Sequence, residues 1–169
     1  MKFVKKPIIL FLLLSFITLS ACTNEESGKT IYLFRHAEKE LTTKTDNPPL
    51  TDEGERQAVQ ISNILKEVDL EEIYTTKYIR NLNTVKPLID STGVPVKYYK
   101  WEAWEEVVDE IKKSDAKVIA LCGHGDILLP MIEKLGGVRP QETIEKDEYK
   151  KIYNLLLLGN DVTVQTIKF

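Results

Sequence analysis

Residues 31–39 read Ile-Tyr-Leu-Phe-Arg-His-Ala-Glu-Lys, an apolar run that stops at an arginine and a histidine. Four consecutive apolar residues, two of them aromatic and one β-branched, are typical of a strand covered on both faces. Ligands of an open α/β sheet bind in the crevice beyond the carboxyl ends of its strands. The stretch therefore predicts a central strand with Arg35 and His36 at the mouth of such a crevice.

A second apolar run, residues 117–122, is followed by Gly-His-Gly-Asp at residues 123–126. His36 and His124 are the two histidines of the chain, and each follows one of these runs. Because the carboxyl ends of central parallel strands lie close together, we expect the two imidazoles to face one crevice. Imidazole can act as a nucleophile, an acid or a base near neutral pH.

The rest of the domain alternates predicted helices with predicted strands. Thr51 is the expected N-cap of the first helix, since carboxylates follow it in the first turn. The second helix is predicted over residues 77–90, with Pro87 kinking it or ending it early. Its inward face is predicted to comprise Tyr78, Leu82, Val85 and Leu88 or Ile89. A third helix over residues 102–113 would use Trp101 and Trp104 for packing.

Turn-forming residues at 159–161 indicate a tight hairpin between the last two strands. Alternating strands and helices followed by a hairpin predict a fold of class α/β. We expect a three-layer α/β/α sandwich with a mostly parallel central sheet and a C-terminal antiparallel hairpin.

The first 21 residues are predicted to be a signal peptide, with three lysines before an apolar segment too short to span a membrane comfortably. Residues 19–22, Leu-Ser-Ala-Cys, resemble the lipobox of bacterial lipoproteins. That resemblance implies cleavage before Cys22 and a lipid on its sulfur; an ordinary secretory signal is the alternative. Residues 22–29 would then be a tether and residues 30–169 the domain, held on the extracytoplasmic side of the membrane.

Charge argues against several partners. Loss of the signal would remove three lysines and no acidic residues, so the formal net charge would change from -3 to -6. The chain has no basic stripe, which disfavours nucleic acid and anionic lipid surfaces as partners of the domain. The membrane would be contacted through the lipid on Cys22. Cys122 is expected to be a small buried apolar residue without a disulfide partner.

Two arginines complete the candidate site. Arg35 adjoins the first histidine, and Arg80 falls near the beginning of the second predicted helix. Each arginine could instead pair with a surface carboxylate. If they converge with the histidines, they form a pocket for a doubly charged tetrahedral anion such as phosphate, because guanidinium groups bind its oxygens bidentately. Phosphoryl transfer needs mainly positioning and charge stabilisation.

Four segments resemble, in order, motifs of the histidine phosphatase superfamily, which includes the phosphoglycerate mutase-like enzymes. Residues 35–39 resemble its opening Arg-His motif, and residues 49–58 its Leu-Thr-x-x-Gly-x-x-Gln-Ala helix start. Residues 75–84 resemble its Ser-Ser-x-x-x-Arg-Ala-x-Gln-Thr element, and residues 123–126 its second histidine at a strand end. The four segments extend over most of the domain.

The resemblance implies that His36 is the nucleophile and forms a phosphohistidine, which water then hydrolyses. Arg35, Arg80 and His124 would hold the phosphoryl oxygens and neutralise their charge. No metal and no cofactor is then required, and two histidines without clustered carboxylates or thiols are a thin set of metal ligands.

The sequence departs from the commonest family motif, since Ala37 and Lys39 replace a glycine and a threonine. Family members usually present a Glu or Asp that protonates the leaving oxygen, and its position varies. Asp126 is the first candidate for this general acid, and Glu102 and Glu38 are others. A good leaving group, as in a phosphoramidate, needs no dedicated acid.

Two functions remain open at this level. The first is a metal-independent phosphatase for a small phosphorylated substrate or a phosphoprotein. The second is a lipoprotein that captures phosphorylated ligands with little or no turnover. The sequence leaves the natural substrate and the oligomeric state open.

Overall fold

A central sheet organises the chain in the computed structural model, which describes residues 28–42 and 44–169. The predicted signal peptide, Cys22 and nearly all of the predicted tether lie outside these residues. Within the described ranges the sheet has six strands: β1 (Lys29–Arg35), β2 (Glu72–Thr76), β3 (Val96–Tyr99), β4 (Val118–Gly123), β5 (Lys151–Leu158) and β6 (Asp161–Lys168). The helices between them are α1 (Asp52–Leu65), α2 (Ile79–Thr92), α3 (Trp104–Lys113) and α4 (Leu128–Lys134).

The strand order is β3-β2-β4-β1-β5-β6. The first four strands in the chain run parallel, while β5 pairs antiparallel with β1 and forms the terminal hairpin with β6. Arg35 lies opposite Gly123 in the register of β1 and β4, so the ends of these two strands are side by side. The predicted fold class, with its mostly parallel sheet and C-terminal hairpin, is confirmed.

Apolar side chains cover both faces of the sheet. On one face, α1 and α2 bury side chains such as Ile61, Leu65 and Leu88 against the sheet; on the other, α3 and α4 bury Ile111 and Ile132. All five are fully buried, and burying each contributes about 1.5–3 kcal/mol relative to leaving it exposed. The sheet is thus held rigidly between two helical layers. Among the described residues, no helix combines the length and the apolar character that a bilayer crossing requires.

The start of α1 packs directly on the chain that follows His36. Thr51 is the N-cap, as predicted, and its hydroxyl accepts a hydrogen bond of 3.0 Å from the Gly54 backbone N–H. A Cβ atom at Gly54 would lie 2.1 Å from the carbonyl oxygen of Glu38. Only glycine allows this approach, which fixes the helix against the loop after β1.

The second helix does not end early at Pro87, which is one of the two outcomes that the sequence predicted. Pro87 lies inside α2, which continues to Thr92 and ends at Gly93 in the left-handed conformation. The side chains of Val85 and Leu88, on either side of the proline, are fully buried in the core. This packing keeps the chain helical where the missing N–H alone would favour a stop.

The inward face of α2 also differs from the prediction, because Arg80, Asn81 and Thr84 are buried there together with Val85 and Leu88. Leu82 is half-buried, and Tyr78 precedes the helix as its N-cap residue. The first turn of α2 therefore presents polar groups to the sheet.

Smaller differences concern the elements around β3. The third helix begins at Trp104, after a 3₁₀ turn over Trp101–Ala103. Trp104 packs against the core as expected, whereas Trp101 is 38% exposed and lines a cavity described below. Cys122 is a buried free cysteine, in agreement with the sequence.

Candidate active site

The two histidines meet beyond the carboxyl ends of β1 and β4. Their ring centroids are 5.4 Å apart, in an edge-to-face arrangement. His36 is 3% exposed and His124 is 5% exposed. The neighbouring strands thus bring the two imidazoles to one crevice, where burial limits their contact with water.

The tautomer of His36 follows from its hydrogen bond. Its Nδ1 atom lies 2.8 Å from the backbone oxygen of Ala37, and a carbonyl oxygen only accepts. Nδ1 therefore carries the proton, and Nε2 keeps a lone pair. Burial lowers the pKa of His36 to about 2, with the neighbouring charges of His124, Arg35 and Arg80 acting in the same direction and the Ala37 hydrogen bond opposing them. His36 is thus a neutral imidazole with an available nitrogen.

The hydrogen bonds of His124 define the opposite tautomer. Its Nδ1 atom lies 3.5 Å from a terminal nitrogen of Arg80, which only donates. Its Nε2 atom then carries the proton and donates to the Thr76 hydroxyl at 3.1 Å. Burial lowers the pKa of His124 to about 3, and the charges of Arg80, Arg35 and Lys39 lower it further. An arriving dianion would oppose this shift and favour the protonated imidazolium.

Arg80 has donors without acceptors. Its guanidinium stacks on Tyr78, with Cζ 4.3 Å from the ring centroid, and the residue is 9% exposed. Nε and Nη1 are buried and have no hydrogen-bond partner among the described residues. Leaving a buried donor unpaired costs about 1–3 kcal/mol, and no carboxylate of the described residues pairs with Arg80. These donors are suited to an anionic oxygen supplied by a ligand.

Arg35 has a second role that the sequence did not indicate. One of its terminal nitrogens donates to the backbone oxygens of Glu145, Lys146 and Glu148, at 3.0, 3.0 and 3.1 Å. Its Cζ lies 4.2 Å from the ring centroid of Tyr149, and its buried Nε has no partner. Arg35 therefore holds the loop before β5 in place and keeps part of its guanidinium for a ligand.

Side chains of α2 join the two strand ends to each other. The Thr84 hydroxyl accepts from the backbone N–H of Ala37 at 2.9 Å and donates to the backbone oxygen of Arg80 at 2.6 Å. The Asn81 amide donates to the backbone oxygen of Gly123 at 3.3 Å. Sequence analysis missed both residues, although polar side chains at positions 80, 81 and 84 fall on one face of a helix.

A cavity of about 630 Å³ is lined by the two histidines and the two arginines, His36, His124, Arg35 and Arg80. Its lining includes five cations, Arg35, Arg80, Lys39, Arg139 and Lys146, against two carboxylates, Asp126 and Glu142. Arg139 is engaged by Glu133 at 2.6 Å. An otherwise acidic chain thus has a cavity with an excess of positive charge, which favours anionic ligands.

The three candidate general acids lie in different places. Asp126 is exposed and lines the cavity. Glu102 lines a neighbouring cleft instead, and Glu38 accepts a hydrogen bond of 3.0 Å from the Thr51 hydroxyl and lines a third depression. Of these carboxylates, only Asp126 borders the cavity that contains the histidines. Residues 28–42 and 44–169 hold no cluster of three His, Cys, Asp or Glu side chains suited to a metal ion.

Comparison with known proteins identifies the architecture. Residues 31–108 match the family model of the histidine phosphatase superfamily, branch 1. The chain has the histidine phosphatase fold. No curated protein matches the chain significantly.

Solved structures resemble the chain along nearly their whole length. A protein proposed to be an alpha-ribazole-5'-P phosphatase from Escherichia coli K-12 superposes with a TM-score of 0.66 at 14% identity, covering 83% of this chain and 96% of that one. The protein histidine phosphatase SixA, complexed with tungstate, superposes with a TM-score of 0.62 at 17% identity, and the match covers 82% of this chain and 96% of SixA. Phosphoserine phosphatase from Entamoeba histolytica, in complex with 3-phosphoglyceric acid, superposes with a TM-score of 0.62 at 13% identity, and the match covers 83% of this chain and 97% of that one.

Proposed function

We propose that the protein is a phosphatase that acts through a phosphohistidine on His36, with a small phosphorylated molecule or a phosphoprotein as substrate. The observation that carries this proposal is the buried guanidinium of Arg80, which has two nitrogen atoms without a hydrogen-bond partner beside two neutral imidazoles. A phosphoryl group supplies acceptors for these donors and an electrophile for His36.

In the first step, the free Nε2 of His36 attacks phosphorus, and the bond from phosphorus to the leaving oxygen breaks. Arg80 and the free nitrogens of Arg35 hold the equatorial oxygens, and His124 becomes protonated as the dianion raises its pKa. Water then attacks the phosphohistidine and gives a proton to the carboxylate that protonated the leaving oxygen. The bond between phosphorus and nitrogen breaks, His36 is regenerated, and inorganic phosphate leaves. Two guanidiniums and one imidazolium neutralise the charge in both steps, so the proposed reaction needs no metal and no cofactor.

The leaving oxygen takes a proton in the first step. Asp126 is the proposed donor, because it is the candidate carboxylate that borders the cavity. A phosphoramidate substrate would make this help less important, since its leaving nitrogen departs more readily.

A second candidate function is the capture of phosphorylated ligands with little turnover. The exposure of Asp126 favours it, since a side chain that faces solvent is held less firmly against a leaving oxygen than a buried general acid would be. The arginines and histidines would bind phosphate equally well in this case.

We further propose that the mature protein is attached to the outer side of a membrane through a lipid on Cys22. The Leu-Ser-Ala-Cys sequence supports this proposal. Cells producing Cys22→Ser should release the protein from the membrane fraction, and an unchanged distribution would argue against the anchor.

The phosphatase proposal is tested with the purified protein, p-nitrophenyl phosphate and a chelator. Hydrolysis should proceed. The phosphoenzyme is trapped by alkaline denaturation rather than by acid quenching, because phosphohistidine is acid-labile. His36→Asn, which keeps an N–H donor for the Ala37 carbonyl but lacks the nucleophilic nitrogen, should bind phosphate but form no phosphoenzyme. Tight phosphate binding by the wild type with no phosphohistidine would instead establish the capture function.

A further inference from the structure

A second cleft of about 470 Å³ adjoins the active-site cavity. Four aromatic residues line it, and the name aromatic cleft is used here for the space between Tyr78, Tyr98, Tyr99 and Trp101. Tyr78 and Trp101 also line the cavity that contains the two histidines. The two spaces therefore share a wall.

Sheet topology explains this arrangement. The strand β3 is the edge strand next to β2, and Tyr99 lies opposite Thr76 in their parallel register. The carboxyl ends of β1, β4 and β2 surround the proposed phosphate site, and the end of β3 continues the same edge of the sheet. A ligand that extends along this edge from the phosphate site enters the aromatic cleft.

Tyr78 stands between the two spaces. Its ring lies 4.3 Å from Cζ of Arg80 and 5.3 Å, centroid to centroid, from the ring of His124. The same residue borders the aromatic cleft. A molecule with its phosphoryl group on Arg80 and His124 thus reaches the aromatic cleft along the side of Tyr78.

Two of the aromatic side chains of the cleft are not packed into a hydrophobic core. Tyr98 is 53% exposed and Trp101 is 38% exposed, and neither belongs to a core cluster. Tyr99, in contrast, is anchored by a hydrogen bond of 3.2 Å from its hydroxyl to the backbone oxygen of Cys122. Partly exposed aromatic rings that line one cleft beside a polar site provide stacking surface for a planar group.

Polar groups at the cleft complement this surface. Lys100, Glu102 and Asn47 line it together with the rings. Their donors and acceptors suit a heteroaromatic ring, whose ring atoms and substituents form hydrogen bonds as well as stacking.

We infer that the aromatic cleft binds a planar aromatic or heteroaromatic ring carried by the alcohol part of a phosphate monoester. The substrate class is then a phosphomonoester with a ring on its leaving group, as in a nucleoside 5'-monophosphate. This inference rests on the proposed phosphatase function, in which the cavity holds the phosphoryl group and the neighbouring cleft receives the leaving group.

The test compares substrates whose leaving oxygens are chemically alike. Adenosine 5'-monophosphate is paired with ribose 5-phosphate, and 2-phenylethyl phosphate with ethyl phosphate, since each pair shares a primary alkyl leaving group and differs in the ring. The value of kcat/KM should be about tenfold or more higher for the ring-bearing member of at least one pair, as stacking on aromatic side chains produces differences of this order.

Tyr98→Ala should remove most of that preference and leave kcat/KM for the ring-free member unchanged. Tyr98→Phe, which keeps the ring, should retain the preference. Val59→Ala serves as the matched control, because Val59 is an exposed apolar side chain of α1, and it should change neither member of a pair.

Two failures are distinguishable. Hydrolysis of p-nitrophenyl phosphate without a ring preference in either pair overturns the aromatic cleft as a leaving-group site and leaves the phosphatase function intact. A preference that survives Tyr98→Ala also overturns it. Absence of both hydrolysis and phosphohistidine overturns the proposed function itself.

Discussion

The hydroxyl of Thr84 joins the backbone that follows β1 to the first turn of α2. It accepts from the backbone N–H of Ala37 and donates to the backbone oxygen of Arg80. In Thr84→Val a methyl group of similar size replaces this hydroxyl, so the packing volume is kept while both hydrogen bonds are lost. Ala37 and Thr84 are both fully buried, and water cannot replace the lost acceptor.

We expect Thr84→Val to lower the free energy of unfolding by about 1–3 kcal/mol, the usual penalty for a buried donor left unpaired. For a domain of this size, each kcal/mol lowers Tm by roughly 3 °C. Because the two tethered segments carry His36 and Arg80, a relaxed contact also displaces the nucleophile from the phosphate-binding guanidinium. Misplacement by about 1 Å can reduce the rate about 100-fold, and we expect kcat to fall more than KM rises.

The assay combines urea unfolding with steady-state hydrolysis of p-nitrophenyl phosphate. Thr84→Ser is the matched control, since it keeps the hydroxyl and loses a methyl group worth about 0.8 kcal/mol. Its kcat should stay close to that of the wild type. The reasoning would be refuted if Thr84→Val were as stable and as active as Thr84→Ser.

Three further predictions concern stability. Gly54→Ala places a methyl group against the carbonyl oxygen of Glu38 and should destabilise the fold by about 1–3 kcal/mol in urea unfolding; an unchanged midpoint would contradict the tight contact. His36 and His124 stay neutral in the folded state, with pKa values of about 2 and 3, whereas in the unfolded chain they take up protons below pH 6.5. The contribution of the two histidines to the free energy of unfolding is therefore fully present above pH 7. Below pH 6.5 it falls by about 1.4 kcal/mol per pH unit for each imidazole. A variant with both histidines changed to Asn should lose less stability between pH 7 and pH 5, and an equal loss would exclude the histidines as its source. Lys29→Met removes a buried ammonium that donates to three backbone oxygens at the end of α3; a loss of about 1.5–3 kcal/mol is expected in thermal unfolding, and a Tm equal to that of the wild type would speak against it.

The sheet and its order of elements were within reach of the sequence because each signal is local. The two apolar runs before His36 and His124 identify central strands, and Thr51 marks the beginning of α1. Pro87 shows where local signals fail, since the proline alone favours a helix stop, whereas buried side chains on both sides of it keep α2 intact. Tertiary packing outweighs local propensity at this position.

The convergence of Arg35, His36, Arg80 and His124 could also be anticipated, because strand ends and a helix start carry them. The contacts that position these four side chains could not be anticipated from the sequence. The hydroxyl of Thr84 acts on Ala37, 47 residues away in the chain, and Arg35 holds a loop 110 residues away. Hydrogen bonds between such distant segments depend on the assembled fold, and nothing in the composition of either segment specifies its partner.

The two nitrogen atoms of Arg80 that lack a hydrogen-bond partner have a consequence for how a catalytic cycle would end. Donors that have no acceptor among the described residues are suited to any compact oxyanion, including the orthophosphate left after hydrolysis. Release of that product takes these acceptors away again, so departure is opposed by the same groups that favour arrival. Under abundant orthophosphate the vacant form becomes scarce, and the surrounding phosphate level sets how much of the protein is open to a new substrate.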